Sequence, residues 1–222
     1  MLIQDQHIVS TFRPLNGTDN IDAVKKRMQT EGFSTLPVVD RTTQTLIGQL
    51  GYEDLEAART GLSVADMDLM EPVKVYRGQH IFEAARLMLQ FERKLLPVID
   101  KEWRLLGVLK RSRVLEILPG LLNVAEPGSV ITVTLDRIDF SISEIVHLIE
   151  TENAKILGMT VEKPRQADQS FKISFKLDLQ DVSRVAAALR RYDYMVSTNS
   201  ENEIFTDDIE SRADELLKYI DM

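Results

Sequence analysis

The chain of 222 residues contains no cysteine. Disulfide staples, thiolate zinc sites and iron–sulfur clusters are therefore excluded, and the absence fits a reducing compartment. Histidine is scarce: His7, His80 and His147 lie far apart, with no partner at ligand spacing. No metal site is expected from them. Aromatic residues make up 6% of the chain and form no stripe with basic residues, which argues against base stacking. Positive charge is also short, with 27 Lys and Arg against 35 Asp and Glu, a formal net charge of −8. Such a surface repels nucleic-acid backbones and anionic membranes, so neither is expected as a partner. No apolar run approaches the roughly 20 residues that span a bilayer, and Met1 to Ser10 lacks the apolar stretch of a signal peptide. A cytoplasmic protein is expected. The phosphate loop, the dinucleotide fingerprint, the zinc-protease helix and the nucleophile elbow are all missing. No catalytic residue is assigned, and an enzyme is not expected.

What is present is an ordinary globular mixture, 44% hydrophobic and 28% charged, able to form a core unaided. It also holds an internal repeat. Leu36-Pro37-Val38-Val39-Asp40 recurs as Leu96-Pro97-Val98-Ile99-Asp100, 60 residues later. Each copy is followed by a short apolar run around a glycine, at Gly48 and Gly107. Each is preceded by an apolar stripe of helical period: Ile21, Val24 and Met28 in the first copy, then Ile81, Ala84, Ala85, Met88 and Leu89 in the second. Thr18 or Asp19 is expected to cap the first helix and Gly32 to end it. Closing helices are expected near Tyr52 to Arg59 and Ser112 to Leu118. Asp40 to Thr45 and Asp100 to Glu102 read as the polar turns.

This order of helix, Leu-Pro-Val strand, turn, apolar-Gly-apolar strand and helix resembles the CBS domain. Two in tandem resemble a CBS pair, over roughly residues 8–118. The resemblance implies packing about a pseudo-twofold axis, with clefts that commonly hold adenosine-containing ligands.

The second half reads βαββαβ. Strands are expected at 130–135, 154–161, 171–177 and 192–197, with helices carrying Ile142, Ile145, Val146 and Ile149, then Val182, Val185, Ala186 and Leu189. Ser141 and Glu144 have capping-box spacing, and Pro164 to Gln169 is a polar turn. This ferredoxin-like order, behind a CBS pair, resembles an ACT domain. Such domains often bind amino acids at a glycine-containing first loop; here Asp136 to Ser141 has no glycine. An amino-acid site and a purely structural dimerisation unit both stay open. Pro119-Gly120 to Pro127-Gly128 suits a linker. Ile209, Ala213, Leu216, Leu217 and Ile220 form the stripe of a C-terminal helix. The expected class is thus α/β (α+β): repeats at 1–62 and 63–120, an ACT-like domain at 128–199 and a helical tail at 200–222. The architecture resembles the acetoin-utilisation AcuB-type proteins.

The resemblance also implies a site. The CBS family contacts its ligand from the first strand, from the residues before Leu-Pro-Val, and from a Ser/Thr-x-x-Asp at the second helix. In the first repeat these positions hold Phe33, Ser34 and Thr35, then Gly51 to Asp54. Asp54 matches the family's ribose-binding aspartate, although an acid there also suits the positive end of a helix. Gly51 stands where the family usually has a hydroxyl. In the second repeat Lys110 and Arg113 replace hydroxyl and aspartate, and Arg93 and Lys94 precede the strand. Cations at a helix start oppose its dipole, and a bound anion would relieve this. The reading is one asymmetric site, with Phe33, Ser34, Thr35, Gly51 and Asp54 on the nucleoside and Arg93, Lys94, Lys110 and Arg113 on phosphates. A solvated cationic face is the alternative. The expected function is a non-catalytic regulatory sensor of an adenine nucleotide or related adenosyl ligand, with no other cofactor. A homodimer and an effector protein are the expected partners. The alternative is an adaptor homodimer with degenerate sites.

Overall fold

The stripe Ile21, Val24 and Met28 becomes the buried face of helix α1 (Ile21–Glu31) in the computed structural model, which describes residues 1–135, 141–164 and 170–198. Asn20 caps this helix, its side-chain oxygen accepting from the N–H groups of Asp22 at 3.0 Å and Ala23 at 3.2 Å. Thr18 and Asp19, the expected caps, are taken by the preceding turn. Asp19 accepts from the Asn16 N–H at 2.9 Å, and the Thr18 hydroxyl donates to Asn16 at 2.6 Å. Gly32 ends the helix with φ of 67°, a left-handed conformation glycine adopts without strain.

Strands β1 (Thr35–Val39) and β2 (Leu46–Gly51) follow as an antiparallel pair, then helix α2 (Tyr52–Ala57). The second repeat has β3 (Val75–Tyr76), α3 (Ile81–Gln90), β4 (Leu95–Ile99), β5 (Leu105–Lys110) and α4 (Arg111–Leu121). The registers match: Leu36 faces Leu50 and Val38 faces Gly48, as Leu96 faces Leu109 and Val98 faces Gly107. Both pairs bulge one residue later, at Val39 and Ile99. A parallel neighbour completes each sheet, Leu15 beside Val38 and Val75 beside Val98. The hairpin turns close on Asp40, which accepts from the N–H groups of Thr42 and Thr43, and on Asp100, which accepts from those of Glu102 and Arg104. Hydrogen bonds from Thr43 and Thr42 hold the Asp40 carboxyl below its ordinary pKa.

The repeats interlock. Residue 70, on the way into the second repeat, pairs with β2 of the first through two Gln49–Met70 hydrogen bonds of 3.0 Å. Residue 9, on the way into the first repeat, pairs with β5 of the second; the Val9 N–H donates to the Val108 carbonyl at 2.8 Å. The two turns also bond to each other. Leu46 donates to Trp103 and Leu105 donates to Gln44, each at 2.9 Å. One core cluster accordingly joins Leu36, Val38 and Leu50 to Leu95 and Val108. The repeated glycines stand where the crossing segments pass. A Cβ on Gly107 would lie 2.6 Å from the Val9 carbonyl oxygen, and one on Gly48 would lie 2.7 Å from the Leu69 Cβ.

The chain divides into two compact units, Met1–Leu118 and Pro119–Met222. In the second, β6 (Ser129–Leu135), α5 (Ile142–Thr151), β7 (Ile156–Glu162), β8 (Phe171–Leu177), α6 (Ser183–Arg191) and β9 (Met195–Thr198) give βαββαβ. The sheet order is β7-β8-β6-β9, antiparallel throughout, the ferredoxin-like arrangement. Ile131, Val133, Ile173 and Phe175 alternate inward and bury against Ile145, Ile149, Val185 and Leu189. The capping box at Ser141 does not form. The Ser141 hydroxyl lies against that of Ser143, and Glu144 accepts instead from the Tyr194 hydroxyl at 2.8 Å. Pro119 and Gly120 lie inside α4 rather than in a linker. The helix stops at Leu121, so the proline disturbs only its last turn. The loop at Asp136 to Phe140, most of the turn at Pro164 to Gln169, and the tail helix fall outside the described residues. No helix among the described residues is long and apolar enough to cross a membrane.

Substituting Gly107→Ala forces a methyl against the Val9 carbonyl at a φ of 142° that only glycine tolerates. We expect a loss of about 2 kcal/mol or more, read as a lower urea midpoint at unchanged m-value.

Candidate ligand cleft

The close of α1, the start of β1 and the β2–α2 junction meet because β1 and β2 pair, with Thr35 opposite Gly51. The Tyr52 N–H donates to the Ser34 carbonyl at 2.9 Å, which ties the first turn of α2 to the residues before β1. Across from them stands the loop between α3 and β4, carrying Glu92, Arg93 and Lys94. Together these segments line a cleft of about 670 Å³, within the 300–1,000 Å³ of small-molecule sites.

Phe33, Ser34, Thr35, Gly51, Asp54, Arg93 and Lys94 all line this cleft. Asp54 folds back on its own helix: Oδ2 accepts from the Gly51 N–H at 3.2 Å. This leaves Oδ1 without a partner among the described residues. A Cβ on Gly51 would lie 2.8 Å from that Oδ2 and 2.9 Å from the Met70 methyl. Absence of a side chain at Gly51 thus lets both approach.

Arg93 is the anomaly. Its Nε is shut off from solvent with no hydrogen-bond partner, the single such side-chain atom among the described residues. Among the described residues its guanidinium faces no carboxylate, and burial pulls its pKa below the ordinary arginine value. A buried donor left unpaired costs about 1–3 kcal/mol, so proteins rarely keep one without a use. Lys94 sits beside it, its ammonium 3.5 Å from where a Gly32 Cβ would be, over the negative end of α1.

Lys110 and Arg113 do not join this cleft. Arg113 does not line this cleft. Its guanidinium donates to Glu116 at 2.9 Å and to the Gln6 carbonyl at 3.5 Å. The charge of Arg113, read as part of a demand for an anion, is met by the protein itself. Lys110 lines a separate cavity of about 570 Å³ with Phe12, Arg13, Asp19, Arg27 and Glu31. There Arg27 is engaged, with Glu31 at 3.0 Å, the Arg13 carbonyl at 2.8 Å, and the Phe12 ring 5.1 Å below it.

Sequence reasoning missed several lining residues: Met28, Gln29, Glu53, Glu92 and Met70. Met70 reaches the cleft only because its segment crosses to β2, and local periodicity carries no trace of that crossing. The hydroxyl of Tyr52 bonds to Gln29 at 2.6 Å, closing one flank.

Residues 64–120 match the CBS domain family model. The first repeat reproduces that segment's strands, bulge and glycine position, so the N-terminal unit has the fold of a CBS pair. Among solved structures, a CBS domain pair/ACT domain protein from Thermotoga maritima is similar at 24% identity, over 54% of this chain and 98% of that one, with a TM-score of 0.48. CBSX2 in complex with AMP is similar at 22% identity, over 54% and 98%, with a TM-score of 0.46; CBSX2 is from Arabidopsis thaliana. CbpB in complex with c-di-AMP is similar at 17% identity, over 55% and 88%, with a TM-score of 0.46.

Replacing Arg93 by Met keeps the stem and removes the unpaired donor. The ligand-free Arg93→Met protein is expected to unfold at an equal or higher urea concentration than the native protein. A midpoint loss would show that the guanidinium stabilises the empty fold.

Proposed function

We propose that this protein is a non-catalytic regulatory sensor that binds an adenine nucleotide or related adenosyl ligand in the cleft between its repeats. The observation that carries the reading is the Arg93 Nε, buried without a hydrogen-bond partner among the described residues, at the wall of a nucleotide-sized cleft. The missing partner is what a phosphate supplies, through bidentate hydrogen bonds. The other walls suit a nucleoside. Phe33, Met28 and Met70 offer apolar surface for a base, and backbone at Ser34 and Thr35 offers donors and acceptors for its edge. The open Oδ1 of Asp54 can accept from a ribose hydroxyl. Lys110 and Arg113 drop out of the assignment.

Both repeats contribute to the cleft, so a ligand there bridges them. It drives a change only by binding one arrangement of the repeats more tightly than another. The ferredoxin-like unit is read as an ACT-type module that holds two copies of the chain together and passes the change to an effector protein. An adaptor homodimer with a disused cleft is the second reading. The hydrogen bond from Gly51 to Asp54 favours it, because a helix-capping role accounts for Asp54 without any ligand.

Calorimetric titration with AMP separates the two. Saturable binding is expected, with affinity falling about tenfold or more in Asp54→Ala and in Arg93→Met. Bound AMP must also raise the melting temperature of the native protein. No heat and no shift at millimolar AMP would leave the adaptor reading.

A further inference from the structure

Helices α1 and α3 hold equivalent places in the two repeats, so each serves as a control for the other. Their buried faces agree: Ile21, Val24 and Met28 on one, Ile81, Ala84 and Met88 on the other. Their outward stripes do not. Asp22, Lys25 and Gln29 on α1 become Phe82, Ala85 and Leu89 on α3. Two of the polar residues are answered within the chain. Asp22 accepts from the Gly61 N–H at 3.1 Å, and Gln29 donates to the Tyr52 hydroxyl at 2.6 Å. The apolar stripe stays open, with Phe82 55% and Leu89 77% exposed. Leu2 extends it by pairing with His80, whose ring centre lies 4.7 Å from that of Phe82. Met1 and Leu2 are themselves half exposed. These four side chains offer on the order of 400 Å² of apolar surface, about half of what one partner buries in a stable interface.

We propose that this face of α3 docks a second copy of the chain, helix against helix about a twofold axis near Ala85. The stripe is self-complementary. Two large residues flank a small one, so antiparallel copies set Phe82 of each against Leu89 of the other, and Ala85 lets the backbones approach. Arg86, next to Ala85, donates to Glu83 at 2.6 and 3.0 Å and brings no unpaired charge to the contact. The matching face of α1 carries Asp22, Lys25 and Gln29, so association through this surface stops at two copies. Helix α3 also runs into the loop that carries Arg93 to the cleft, so contact face and cleft share one element. The contact is independent of the ligand reading and additional to the one assigned to the ferredoxin-like unit.

Because that unit is itself read as holding two copies, total mass does not report on α3, and the test is local. The chain has no cysteine, so a single introduced thiol is a clean probe. Helix axes 8–10 Å apart leave roughly 3–5 Å between Cα atoms at the crossing, close to disulfide reach. Oxidised with copper–phenanthroline at micromolar concentration, Ala85→Cys is expected to run mainly as a covalent dimer on a non-reducing gel. Lys25→Cys, the related position on α1, is expected to cross-link about tenfold more slowly or not at all, and adding Leu89→Glu to Ala85→Cys to slow its cross-linking about tenfold. Melting curves verify that each variant is folded. Should Ala85→Cys not fold, a mixture of Phe82→Cys and Leu89→Cys proteins, both altered at exposed positions, replaces it; the mixed dimer is expected to exceed either self-dimer. Cross-linking of Ala85→Cys no faster than Lys25→Cys, indifference to Leu89→Glu, or no excess of the mixed dimer overturns the contact and leaves the ligand reading untouched.

Discussion

The N-terminal unit depends on an exchange of chain between its two repeats. Neither small sheet is complete by itself. The end of β2 is covered by residues that lead into the second repeat, and β5 by residues that lead into the first. This exchange satisfies backbone donors and acceptors at strands that would otherwise expose an open edge. It also places Leu95 and Val108 in one cluster with Leu36 and Leu50. A unit this interlocked should gain and lose its structure as one cooperative body.

The cleft follows from the same exchange. Because the segment at residue 70 crosses to β2, the methyl of Met70 reaches the mouth of the site beside Gly51. Because the repeats face each other, the loop after α3 brings Arg93 and Lys94 opposite Ser34 and Asp54. At the positions related by the repeat, divergence has changed the chemistry: Asp54 becomes Arg113 and Gly51 becomes Lys110. The structure shows how that change is tolerated. Arg113 turns to Glu116 and the Gln6 carbonyl rather than to a ligand. The shared backbone frame thus supports a cleft with a buried unpaired Arg93 Nε on one side and, at the related position, an Arg113 paired within the protein on the other.

Much of this was legible in the sequence, for identifiable reasons. Helices α1 and α3 and strands β1 and β4 carry strong apolar periodicity, and the repeat fixes their order twice. The alternation through Phe171 to Leu177 marked β8 and its buried face. The cleft residues Phe33, Ser34, Thr35, Gly51 and Asp54 came from motif position. The misreadings share a cause. Spacing points to Thr18 or Asp19 where Asn20 caps α1, and to Ser141 with Glu144 where no box forms, because a capping residue is chosen by competing local bonds that spacing does not reveal. Charge alone groups Lys110 and Arg113 with Arg93 and Lys94. Arg113 is held by Glu116 and the Gln6 carbonyl, and Lys110 opens on a different cavity; neither fact is visible from charge. The crossing segments left a single trace, the recurrent glycines at 48 and 107, whose need for space becomes visible only with Val9 and Leu69 in place.

The one tryptophan of the chain has an unusual seat. Trp103 lies at the tip of the second hairpin with φ of 65°, its carbonyl bonded to Leu46 of the first, and the ammonium of Lys74 4.1 Å from its ring centre. Its indole therefore sits at the seam between the repeats, under a cation carried by the chain segment that joins them. Any rearrangement of that seam would alter the charge over the ring and shift its emission, so the protein carries a built-in optical gauge of its own internal register.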